Sequence, residues 1–175
     1  MIVPWTIGQE YVDENAVLTA VNSCGLVARL QYGVAKLIDT HYRFEQDKVP
    51  IVIDQIGDYI SEMQRLNAAT GLYWLVQTPE MERQRATEWA ATVTAQAIET
   101  PSINRTNRGE YMTAMRACEM ALAVLDAKTP DDGWAPLRVN RITRVQSDQM
   151  TCSHALVMQT RTILYVEAAS PTLLT

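Results

Sequence analysis

The sequence predicts an α+β fold: an antiparallel four-stranded sheet with helices packed on one face, in the order α-β-β-α-β-β, preceded by an N-terminal helical extension. Three observations predict it. The chain has 175 residues, 47% hydrophobic and 20% charged, with seven Gly and seven Pro, the composition of one compact domain rather than a disordered or fibrous chain. At this length folding buries about 70% of the surface of the unfolded chain, so no disulfide or metal is needed to hold it. Two segments, 72–98 and 137–167, carry strand formers and two-residue alternation, and two others, 51–66 and 108–125, carry apolar residues at helical spacing.

The elements follow in order. Leu18, Val21, Leu26, Leu30, Val34 and Leu37 recur near the helical period, so residues 13–40 are expected as a helix, with Gly25 and Gly33 each costing about 1 kcal/mol against Ala. A polar connector, His41 to Lys48, leads to Val49-Pro50, and a helix is expected from Ile51 to Leu66 because Pro suits a first helical turn. Its apolar face is Ile53, Ile56, Tyr59, Ile60, Met63 and Leu66, opposite Asp54, Asp58, Glu62 and Arg65. Leu72 to Val76 is the first predicted strand, closed at Thr78-Pro79 because Pro cannot donate to a ladder. After a charged turn, Glu80 to Arg85, the second runs from Thr87 to Ile98, with Trp89, Ala91, Val93, Ala95 and Ala97 on one face.

Pro101 to Arg108 reads as a polar loop, and Asn107 with Glu110 as a cap and its capping-box partner opening a helix. In that helix Tyr111, Met115, Cys118, Leu122 and Leu125 form one stripe, widened by Ala114, Ala117 and Ala121. Turn residues Lys128 to Gly133 follow, then a strand from Leu137 to Val145 whose alternation Ile142 breaks. The loop Gln146 to Met150 leads into a last strand marked by Cys152, His154, Leu156 and Met158 and ending near Glu167. The expected organisation is an arm and helical extension over 1–48, a core domain over 49–167 and a tail over 168–175.

Candidate chemistry is sparse. The net charge of −5 gives no footprint for a nucleic-acid binder, whose affinity rests on neutralising phosphates. Cys24, Cys118 and Cys152 include no CxxC pair, and read as reduced core thiols. The first residues lack a basic and an apolar region of signal-peptide type, and Ala16 to Ala35 is interrupted by Asn22, Ser23, Arg29 and Gln31, so neither export nor a membrane span is expected. No glycine pair is close enough for a phosphate loop. Cys152 and His154 share a strand face but lack further ligands, and Asp54 with Asp58 reads as a solvated pair. The expectation is a protein that is not an enzyme and that holds no metal, nucleotide or other cofactor.

Arg138, Arg141 and Arg144 lie in one strand, where strict alternation turns Arg141 away from the other two. They are candidates for an oligomer interface with acidic residues of a neighbouring copy, together with Arg105 and Arg108. Among Trp5, Trp74, Trp89 and Trp134, Trp89 is assigned to the core and Trp5 to an intermolecular anchor.

From about residue 50 to 167 the layout resembles that of the tail terminator and tail-completion proteins of long-tailed bacteriophages. It consists of the helix Ile51 to Leu66, the hairpin Leu72 to Ile98, Gly109-Glu110-Tyr111-Met112 leading into an alanine-rich helix, and paired strands over Leu137 to Val145 and Thr151 to Glu167. The resemblance implies a structural protein of the virion neck, assembled in the host cytoplasm as a homo-oligomeric ring of six copies. Such a ring terminates the tail tube and its sheath and joins them to the head–tail connector, with DNA passing through without sequence-specific binding. An acidic subunit suits that role, because it repels DNA and lets a duplex slide. Residues 1–48 depart from the shorter members, which leaves open the terminator itself or an adjacent neck or collar protein. The other reading is a small-molecule-binding or regulatory α+β module, with a pocket between sheet and helices lined by Tyr111, His154 and Trp89.

Overall fold

The computed structural model describes residues 6–7, 14–40, 49–54, 59–108, 112–145 and 150–163. After a two-residue strand, β1 (Thr6–Ile7), the first helical pattern divides at Gly25, where φ is +90°, a conformation that costs only glycine nothing. The single helix expected over 13–40 is therefore two, α1 (Glu14–Ser23) and α2 (Leu26–Asp39). Nor is α2 an extension: Leu30, Val34, Ala35 and Ile38 are fully buried in the same core cluster as the sheet residues Ile51, Trp74 and Val93. The expected boundary at residue 48 thus runs through the core. Gly33 lets α2 approach so closely that a Cβ there would collide with the Pro130 carbonyl.

Ile51 to Ile53 is a strand, β2, and not the start of a helix. Three consecutive β-branched residues, each buried, lie in the sheet interior, where both faces are covered and no alternation marks the strand. The helix comes later and shorter, as α3 (Tyr59–Ala69), with Leu66 buried, Tyr59 and Met63 packed beside it, and Ile60 57% exposed. Through α3 the chain returns in β3 (Leu72–Val76), parallel to β2. After Val76 the strand does not end. It resumes as β4 (Glu80–Arg83), displaced by one position because Gln77, Thr78 and Pro79 face only Val93 and Thr94. The bulge gives Pro79 a place where its missing N–H breaks no ladder bond.

Both β3 and β4 pair antiparallel with β5 (Glu88–Glu99). The expected loop after it is a helix, α4 (Pro101–Arg108), with Pro at its first position and Asn107 donating to the Ala69 carbonyl at the end of α3 at 2.9 Å. Asn107 caps no following helix. That helix, α5 (Ala114–Leu125), starts later, with the Thr113 side chain accepting from the Arg116 N–H. Its buried face is Ala114, Ala117, Cys118, Ala121 and Leu125, while Met115 and Leu122 are 39% and 36% exposed at its margin. The stripe expected from large side chains is in fact centred on small ones, which let the helix lie close on the sheet.

Finally β6 (Arg138–Val145) and β7 (Cys152–Ile163) pair antiparallel, and β7 runs beside the full length of β5. The described residues form one mixed sheet of seven strands, ordered β1-β2-β3-β5-β7-β6, with β4 also on β5. The fold is α+β. The expected four antiparallel strands are those flanking α5, with β1, β2 and β4 added and one parallel pair. Helices cover both faces and not one: α2 and α5 pack over Trp74, Val93, Leu156 and Met158, and α3 covers Val52, Tyr73 and Leu75 on the other side.

A buried carboxylate fixes the end of β5. Glu99 accepts from Asn104 Nδ2 and from the Ala114 N–H, each at 2.8 Å, so an anion sits at the positive end of α5. Asn104 also donates to the Met112 carbonyl at 2.6 Å, which joins β5, α4 and α5 in one network.

Candidate functional site

Because α3 covers only the β2–β3 end of its face, no helix among the described residues covers the rest of that face. Residues paired across antiparallel strands point the same way, so the pairings place Glu80 and Glu82 of β4, Ala90, Thr92, Thr94 and Gln96 of β5, and Val157, Gln159 and Arg161 of β7 on it. Gln96 is tied across it, accepting from Gln77 Nε2 at 3.2 Å and donating to Ser153 Oγ at 3.0 Å.

The arginines of β6 divide differently from strict alternation. A bulge between Val139 and Arg141 adds one residue to β6, so Arg138 pairs with Gln159 and Arg141 with Val157, two positions of β7 that share the open face. Arg138 and Arg141 are therefore brought together, exposed, at that face's outer edge. The bulge also explains Ile142, which joins Val139 against the core. Arg144 pairs with His154 and lies on the helix-covered side, away from the other two. Arg105 is exposed on α4, beyond the Glu99 end of β5, roughly 20 Å along the strand from the level of Arg138. Arg108 is the last residue of α4, and Trp5 lies outside the described residues.

Opposite sign marks the opposite edge. One row across four strands reads Glu80, Thr92, Gln159, Arg138, roughly 14 Å from acid to base at the ordinary strand spacing. Glu82 lies one face repeat along, level with Ala90 and Arg161. Glu88 accepts from Arg161 at 3.2 Å and lies 3.8 Å from Arg85. By contrast Glu80, Glu82, Arg138 and Arg141 have no ion-pair partner among the described residues. Glu80 and Glu82 were hidden in the sequence by their apparent place in a turn.

The residues considered for catalysis or ligand binding do not converge. Trp89 pairs with Thr162 and His154 with Ala97, eight residues apart along β5 and so roughly 27 Å, and Tyr111 lies outside the described residues. Trp89 is half-buried. Asp54 closes β2 with its carbonyl accepting from Gln31 Nε2 at 3.1 Å and Thr78 Oγ1 at 3.0 Å, and Asp58 lies outside the described residues. Cys118 is buried with its Sγ 3.5 Å from the His154 carbonyl, and burial pushes its thiol up to about 12. Such a thiol is protonated and unreactive at neutral pH.

Among the described residues no cluster of His, Cys, Asp or Glu could hold a metal ion, and no helix is long and apolar enough to cross a membrane. Two open grooves are present, one of about 270 Å³ between α1, α2 and Pro130, the other of about 640 Å³ beside Trp134 and Ile163. No protein-family model matches the chain, and no curated protein matches it.

Proposed function

We propose that this protein is a structural subunit of a bacteriophage neck, forming a homo-oligomeric ring of six copies that terminates the tail tube and joins it to the head–tail connector around passing DNA. One observation carries the structural half of this reading: a sheet face that the described helices leave open, with acidic residues on one edge and arginines on the other that have no ion-pair partner among the described residues. Opposite charges on opposite edges suit head-to-tail contacts, the kind that close into rings. The net charge of −5 supports a channel that does not hold DNA. The role is structural rather than catalytic, its site is the virion neck, and the element layout supports the phage setting by resemblance.

The test is negative-stain imaging with mass measurement of the purified protein, together with rescue of tail joining in a phage lacking the gene. Rings of six copies and rescue are expected. A compact monomer that retains a small ligand and does not rescue would overturn the reading in favour of a small-molecule-binding module.

A further inference from the structure

We infer that the subunit contact is made by Glu80 and Glu82 of one copy against Arg141 and Arg138 of the next, an inference that rests on the ring reading above and names its interface. Three strand pairings, all antiparallel, separate β4 from β6, so β4 runs antiparallel to β6 within the sheet. A second copy placed beside the first in the same orientation therefore presents its β6 antiparallel to β4. Glu80 and Glu82 are adjacent positions on the open face, and the bulge makes Arg138 and Arg141 adjacent positions on it too. Both pairs are thus separated by one face repeat, roughly 7 Å. Without the bulge the arginines would point to opposite faces and this match would be lost.

In the register that sets Glu82 against Arg138 and Glu80 against Arg141, the half-buried Met81 meets the half-buried Val139 on the core side of the same edges. Side chains make the contact. The Val139 N–H already donates to Asp126 Oδ1 at 3.1 Å, and the Leu137 N–H to the Lys128 carbonyl at 2.8 Å, so this part of β6 has little backbone left to offer a neighbouring strand. The surface is heterologous, with a different patch used on each side, and a second copy is the occupant because both halves of the complementary pair are on one chain.

The test uses the full chain and two charge-reversed variants, one carrying Arg138→Glu and Arg141→Glu, the other Glu80→Lys and Glu82→Lys, each checked for folding by circular dichroism. Mass photometry and sedimentation across a concentration series read the assembly state. Each variant alone sets like charges together, and its self-association is expected to weaken at least about a hundredfold. An equal mixture restores complementarity at every contact of an alternating ring, so it is expected to assemble like the parent. If a reversed variant does not fold, the neutral substitutions at its positions, Arg138→Gln with Arg141→Gln or Glu80→Gln with Glu82→Gln, replace it, and self-association is expected to weaken at least about tenfold.

Variants that assemble as well as the parent, or a mixture of folded variants that stays dissociated, would overturn this contact and leave the ring reading standing. A parent that stays monomeric throughout the series and also fails to rescue tail joining would overturn both, whereas a monomeric parent that rescues, with reversed variants that rescue equally well, would overturn the contact alone.

Discussion

Two buried polar residues show how single positions set the behaviour of this protein. Glu99 satisfies an otherwise unpaired N–H at the start of α5, a role that no local pattern announces because its partner is fifteen residues away. Cys118 is legible as a core thiol, and its packing between α5 and β7 gives it a pH signature. Burial raises it from an ordinary value of 9.0 to about 12, and burial raises Tyr73 from 10.0 as well. The protonated thiol contributes fully below about pH 9, and that contribution is lost as the pH climbs through about 12, because the unfolded chain gives up the proton first. Denaturant titrations should therefore show stability falling between these limits, by about 1.4 kcal/mol per pH unit from Cys118. Cys118→Ala should shallow the slope without abolishing it, since Tyr73 remains. At neutral pH a thiol reagent should label exposed Cys24 in the native protein and reach Cys118 only on unfolding; immediate labelling of Cys118 would contradict its burial.

Elements were legible where one face meets water. β5 alternates because its core face packs on α5 while its other face is half open, and two-residue periodicity reports that asymmetry. β2 has no such contrast: with Ile51, Val52 and Ile53 all buried, its apolar run was absorbed into the pattern of the following helix. α4 is hidden for the opposite reason, since Pro101 to Arg108 offers almost no apolar face, and its anchors are polar, Asn104 on Glu99 and Asn107 on Ala69. In α5 the period was right and the centre of the face wrong, because large side chains outweigh alanines in a sequence reading although close packing on a sheet favours the small ones. A substitution pair separates the two assignments. Leu125→Ala, at a fully buried position, should cost about 2 to 5 kcal/mol. Leu122→Ala, at the exposed margin, should cost about 1 kcal/mol or less. Equal losses by denaturant titration would return Leu122 to the core.

At the scale of the whole molecule, the α+β class follows from composition and periodicity, whereas the candidate surface depends on long-range pairings. Arg138 and Arg141 were visible as interface candidates, but one inserted residue decides which of the three arginines share a face, and Glu80 and Glu82 gain meaning only through their level on β5. The same dependence on distant contacts decides how far the domain extends. Leu30, Val34 and Ile38 of α2 are each fully buried against the sheet, contributing about 1.5 to 3 kcal/mol apiece. Gln31 adds a buried tie to the Asp54 and Val76 carbonyls. Together these losses approach the whole stability of an ordinary domain, about 5 to 15 kcal/mol. A chain shortened to residues 49–175 should therefore lack a cooperative thermal transition and expose apolar surface to a hydrophobic dye. If it melted cooperatively near the temperature of the full protein, α2 would be a separable extension after all, and the core would have to close over the sheet without it.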